Sequence, residues 1–185
     1  GIHQLGSAIF GITDSKRTGT VKDCTTGKIL NTSADMLACK GAYLSKNRDE
    51  EGLMMAASIR NNSTLPSLKR LAKKSGGVAE KDITNLAEVI YKDFDVKAKG
   101  IQQSIGRLSG GNKQKINLGR WLSQELNYAI LDCPTRGVDV GVKAYIYNVL
   151  KQRKEAGVGI ILITDELAEA IGMADRIIVL KNGEL

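Results

Sequence analysis

The sequence predicts an α/β fold built on a mostly parallel sheet, and three observations predict it. Tyr128–Leu131, Gly159–Ile163 and Ile177–Leu180 are short, apolar runs, as strands buried on both faces of a parallel sheet are. Between them the spacing turns helical, with Ala144, Ile146, Tyr147 and Leu150 along Val142–Glu155, then Glu166 to Met173. Strand, helix, strand, helix, strand in that order implies βαβ units. Finally, 185 residues at 42% apolar content are enough to fill a real core.

Taken in order, the opening third is less regular. Gln4 to Phe10 reads as a helix. Gly19–Val21 and Lys28–Leu30 read as a strand pair around the Thr25-Thr26-Gly27 turn. Ser33 is placed to cap a helix running through Cys39, and Ala42–Leu44 reads as a short strand. The middle changes character: Ser67 to Glu80 is rich in Lys, Gly and Ser, with Lys69, Arg70, Lys73 and Lys74 close together. Ile83, Leu86, Val89, Ile90 and Phe94 then mark an amphipathic helix. Gly157 stops the helix of the last third, and Asn182-Gly183 turns the chain after its final run. The expected division is 1–52 for the first part of the core, 53–108 for a helical subdomain, and 109–185 for the rest of the core.

Composition excludes several classes. Lys+Arg 27 against Asp+Glu 20 leaves a charge of +7, but both signs are interspersed and apolar content is normal, which is not the signature of disorder. Cys24, Cys39 and Cys133 are odd in number and widely spaced, which argues against a disulfide framework or a structural zinc site. His3 is the only histidine, so most histidine-based metal and triad chemistry is removed. The run without polar side chains around Gly157–Ile163 falls far short of the roughly 20 residues that span a bilayer. No cationic stretch followed by an apolar one opens the chain. Its first residue, Gly1 rather than Met, suggests an excised piece.

Leu108-Ser109-Gly110-Gly111-Asn112-Lys113-Gln114 is the stretch richest in chemistry. Leu118, Trp121 and Leu122 follow at i, i+3 and i+4, so a helix begins just past the glycines. Unpaired N–H groups at such a start, backed by the helix dipole, suit a phosphate. The plain alternative is a helix capped by Ser109 with nothing bound. Further on, an apolar strand ends in Asp132, where an open α/β sheet places a magnesium-coordinating carboxylate.

Leu108–Gln114, Tyr128–Asp132 and Pro134-Thr-Arg-Gly-Val-Asp139-Val-Gly141, in that order, resemble the ATP-binding cassette family. Asn112–Lys115, Pro134–Gly137 and Val138–Gly141 look specifically like the second cassette of importers for ribose, galactose and related sugars or nucleosides. The resemblance is near-continuous from Lys97 to Leu185 and thinner before it, in Gly41–Ser45, Arg48, Gly52-Leu53 and Ser58–Asn62. It implies a P-loop NTPase core, incomplete at the start, with a helical subdomain. It also implies two cassettes facing head to tail with ATP sandwiched between them. Ser109, Gly110 and Gly111, with Asn112 and Gln114 in the same signature, would meet the ATP of the partner cassette. Asp139 would reach across to that site, and Asp132 would hold Mg²⁺ through water. The cofactors implied are ATP and Mg²⁺. The partners implied are a second cassette, transmembrane permease subunits and, indirectly, a substrate-binding protein, at the cytoplasmic face of the cell membrane. Ser45 to Arg48 correspond to the loop that senses Mg²⁺ and touches the membrane subunit.

The departures from the family pattern gather on the chain's own nucleotide pocket. Cys133 stands where the family usually places the glutamate that orients the attacking water. A free thiol is mostly neutral at pH 7 and cannot supply general-base help worth ~10²–10⁴-fold; Cys133 reads as a small buried residue. Asp165 stands at the switch histidine position, where a carboxylate repels a γ-phosphate; it reads as the cap of the helix that follows. The end of the phosphate loop falls on Gly1-Ile2-His3, lacking the charged and hydroxyl side chains that loop needs. His3 reads as solvated, and Lys46 stands where an amide or carboxylate would sense Mg²⁺. With no catalytic residue intact, the isolated chain is expected to be inactive while it completes a partner's site. Three other readings remain: an ordinary ATPase module whose residual carboxylates suffice; a nucleic-acid-associated cassette, allowed by the basic cluster but short of aromatic platforms at 4%; and a non-hydrolysing pseudo-cassette that acts as a scaffold.

Overall fold

The computed structural model describes residues 1–13, 17–74, 76–181 and 184. Its principal helices and strands, in chain order, are α1 (Ile2–Phe10), α2 (Ser33–Ala38), β1 (Gly41–Leu44), α3 (Ile59–Thr64), α4 (Leu68–Leu71), α5 (Glu80–Asp93), α6 (Gly110–Leu122), β2 (Tyr128–Asp132), α7 (Val140–Glu155), β3 (Gly159–Ile163) and α8 (Leu167–Met173). They form two compact units. One comprises Gly1–Lys46, Leu126–Cys133 and Lys151–Leu185; the other comprises Asn47–Glu125 and Pro134–Leu150.

The first unit is built on a parallel sheet of order β1-β2-β3. Gly41 pairs with Tyr128 and Leu44 with Leu131 on one side of β2; Tyr128 pairs with Gly159 and Asp132 with Ile163 on the other. Helix α1 lies against this sheet because Gly6 carries no side chain. A Cβ there would fall 2.5 Å from Ile163 Cδ1 and 3.5 Å from Ile130 Cγ2. Phe10, Leu30, Met36, Ile130 and Ile163 form the buried apolar core, with Tyr43 and Tyr128 at its margin. The cap of α2 is Thr32 rather than the expected Ser33. Thr32 Oγ1 accepts the Asp35 N–H while an Asp35 oxygen accepts the Thr32 N–H, the reciprocal pair of a capping box.

Three expected strands do not form. The opening strand pair is a single antiparallel bridge, Lys22 to Ile29, because Asp23 turns the chain tightly by accepting from the Thr25 N–H and the Thr26 hydroxyl. Ile177–Leu180 carries no ladder among the described residues, and Ile177, Ile178 and Val179 are exposed; apolar content alone does not make a strand without a neighbour to pair with. The expected turn at Asn182-Gly183 lies outside the described residues.

The second unit is helical. Ser58 Oγ accepts the Asn61 N–H and caps α3, whose Ile59 is fully buried with Ile90 of α5 and Ile105. The helical part expected over 53–108 is here joined by α6, with Ile116, Leu118 and Leu122 all buried. Gly119 brings α6 close to α5, since a Cβ there would stand 2.8 Å from Ile90 Cγ2. Burial of that helix face, rather than its place in the sequence, decides which unit α6 belongs to.

Candidate functional site

At the carboxyl ends of β1 and β2 four side chains converge. Asp132 ends β2 and is 1% exposed. Its Oδ1 lies 2.7 Å from His3 Nδ1, and His3 Nε2 lies 2.7 Å from Lys46 Nζ, just beyond β1. An ammonium has only donors, so Nε2 accepts from Lys46 and Nδ1 donates its proton to Asp132. His3 thus bridges a cation and a buried anion, and is not the solvated histidine expected. The pairing was invisible in the sequence, because α1 and β1 meet only when the sheet assembles.

Cys133 follows Asp132 with φ of 47°, a left-handed conformation that side chains other than glycine seldom adopt. Its N–H donates to the Ile163 carbonyl at 2.8 Å. Burial pushes its thiol up to about 12, and the negative charges of Asp132 and Asp165 push the same way. The neutral, buried character expected of Cys133 holds. Asp165 does not cap α8: it is exposed, the Glu166 N–H is taken by Thr164 Oγ1 at 3.0 Å, and the helix has no side-chain cap.

This donor set does not fit Mg²⁺. That ion asks for oxygen ligands in near-octahedral array, whereas here a single carboxylate is already engaged, its neighbours are an imidazole and a thiol, and an ammonium stands one hydrogen bond away.

The second set of candidate residues sits at the start of α6. Ser109 is exposed, and its hydroxyl accepts from the Asn112 N–H at 3.4 Å and from the Asn112 side chain at 2.9 Å. Asn112 Oδ1 also accepts the Lys97 N–H at 2.8 Å, so this side chain shapes the tip from within. Gly110 and Gly111 are glycine for a packing reason: a Cβ on Gly110 would meet the Gly137 carbonyl at 3.1 Å, and one on Gly111 would meet Val142 Cγ2 at 2.9 Å. Gln114 points into the protein rather than toward a ligand. It is 2% exposed; its amide donates to the Pro134 carbonyl at 2.5 Å and accepts from Arg48 at 3.3 Å. Asp139 is exposed and accepts the Val142 N–H at 2.9 Å at the start of α7. The tip of α6 therefore presents Ser109 and two glycines on a braced support, with positive dipole behind them.

No family model matches the chain. The ribose import ATP-binding protein RbsA of Lactococcus lactis subsp. cremoris is 39% identical over 178 residues, which is 96% of this chain and 36% of that protein. The xylose import ATP-binding protein XylG of Geobacillus kaustophilus is 37% identical over 182 residues, 98% of this chain and 36% of that protein. The chain thus spans about a third of the length of the curated relatives it matches. Among solved structures, a dimeric ATP-binding cassette in a post-hydrolysis state with ADP and Pi superposes with a TM-score of 0.79 at 22% identity, over 98% of this chain and 77% of that one. A nucleotide-free cassette from an ABC transporter gives 0.76 at 21% identity, over 100% of this chain and 74% of that one. In sequence this chain is similar to the ribose and xylose import ATP-binding proteins over about a third of their length, and it shares the fold of the solved ATP-binding cassettes.

Proposed function

We propose that the chain serves an ATP-driven sugar importer by lending its α6 tip to ATP held on a partner cassette. The observation that carries this reading is the contrast between the chain's two candidate sites. At the α6 tip, Ser109, Gly110 and Gly111 leave amides open to an anion, a ready phosphate site, and Asp139 is exposed at the next helix start. At the ends of the strands, Asp132 is already bonded to His3, which is bonded to Lys46, and the neighbouring residue is a neutral thiol. Donors aimed at a developing phosphate charge are useful across an interface even where one partner has no base of its own. The chain would then work beside a complete cassette, with permease subunits at the cytoplasmic face of the membrane. The names of its relatives point to pentoses such as ribose or xylose as the cargo. Among the described residues no helix is long and apolar enough to cross a membrane, so passage of the sugar would fall to other subunits.

The test has two arms. The purified chain should show no ATP turnover; turnover comparable to an intact transporter would overturn the proposal. Added to an ATP-loaded cassette with a complete phosphate loop, it should associate, and Ser109→Glu should abolish that association by setting a negative charge against the γ-phosphate. Association indifferent to Ser109→Glu counts against the reading.

A further inference from the structure

We propose that His3, Asp132 and Cys133 form a site for a borderline-soft divalent ion of the zinc class. The donor atoms are an imidazole nitrogen, a carboxylate oxygen and a sulfur, and all lie within 4.8 Å of one another. Nitrogen, oxygen and thiolate ligands together suit zinc and its neighbours in the first transition row, not the hard cations. The ligands come from the first turn of α1 and the end of β2, so the ion would tie together two segments remote in sequence. Asp132 and Cys133 are buried, whereas the His3 side chain is 31% exposed, which gives the ion a way in. Three protein ligands leave a fourth, tetrahedral position for water.

Lys46 acts as the competitor at this site. Its ammonium holds the His3 proton on Nδ1, the nitrogen beside Asp132. An ion bound at Nδ1 requires that proton to move to Nε2 and Lys46 to let go. Coordination also replaces the thiol proton of Cys133, since the thiolate is the ligand. Removing the lysine charge therefore favours the ion, while Mg²⁺, served by one oxygen alone, gains nothing.

The full chain is titrated with Co²⁺ as the spectroscopic probe and then with Zn²⁺ in competition. The expected result is a sulfur-to-cobalt charge-transfer band with tetrahedral visible absorption, displaced by Zn²⁺ and untouched by millimolar Mg²⁺. The band should vanish in His3→Ala and Cys133→Ser, each with an unchanged circular dichroism spectrum, and survive in the double variant Cys24→Ser, Cys39→Ser, which excludes the other two thiols as the sulfur ligand. Lys46→Ala should tighten Co²⁺ binding about tenfold or more, the effect of removing a like charge a few ångströms away. A band that survives Cys133→Ser, one that is lost in the double variant, or the absence of any sulfur band would overturn the site. The result is independent of the α6 reading, because the titration contains no nucleotide and no partner.

Discussion

Cys133 shows how a single position departs from its ordinary chemistry. Its thiol is buried at the end of β2 beside Asp132, and is pushed from 9.0 to about 12. Alkylation follows the thiolate, so at pH 8 iodoacetamide should label the exposed Cys24 far faster than Cys133, as read by peptide mass spectrometry; equal rates would refute the assignment. The same shift has a stability consequence. Between pH 9.0 and about 12 the folded chain keeps the Cys133 proton while the unfolded chain loses it, so stability falls as pH rises through that window. Tyr128 and Tyr145, raised from 10.0 to about 12 chiefly by burial, act with the same sign above pH 10.0. The Asp132–His3–Lys46 chain belongs to this scale too, and it was the part of the candidate site least legible in advance. Asp132 announces itself by ending an apolar strand; nothing local tells His3 or Lys46 that the other is near.

At the scale of elements, the seam between α5 and α6 is closed over a glycine, Gly119. An alanine Cβ at Gly119 would stand 2.8 Å from Ile90 Cγ2 and 3.0 Å from Phe94 Cδ2. Overpacking of this kind costs about 1–3 kcal/mol, so Gly119→Ala should lower the midpoint of thermal unfolding followed by circular dichroism. An unchanged midpoint would mean that α5 shifts freely. Elements with strong periodicity were readable in the sequence: α5 from Ile83 to Phe94, α7 around Ile146 and Leu150, and β2 and β3 from unbroken apolar runs. Ile177–Leu180 read equally well and forms no strand, because an apolar run records suitability for a sheet, not the presence of a neighbour. The cap of α2 was read to within a residue, Thr32 for Ser33, since both hydroxyls suit the role and only backbone geometry decides between them, whereas the cap expected at Asp165 does not form.

For the whole molecule, the first unit shows more apolar surface than its core requires. Ile161 of β3, Leu167 and Ile171 of α8, and Ile177 to Val179 are all exposed. Exposed apolar strands and patches of this kind invite association. Ile161→Lys with Ile178→Lys should therefore raise the concentration at which the chain stays monomeric in light scattering, with little change in thermal midpoint; unchanged self-association would show that these residues do not mediate it. The connectivity of the units has a further consequence. β1 and β2 are neighbours in the sheet, yet the whole of Asn47–Glu125 is threaded between them. No single cut of the chain releases either unit whole. The entropy of closing such a loop grows only with the logarithm of its length. The helical unit can thus lengthen or shorten over evolutionary time while the strands that flank it keep their register.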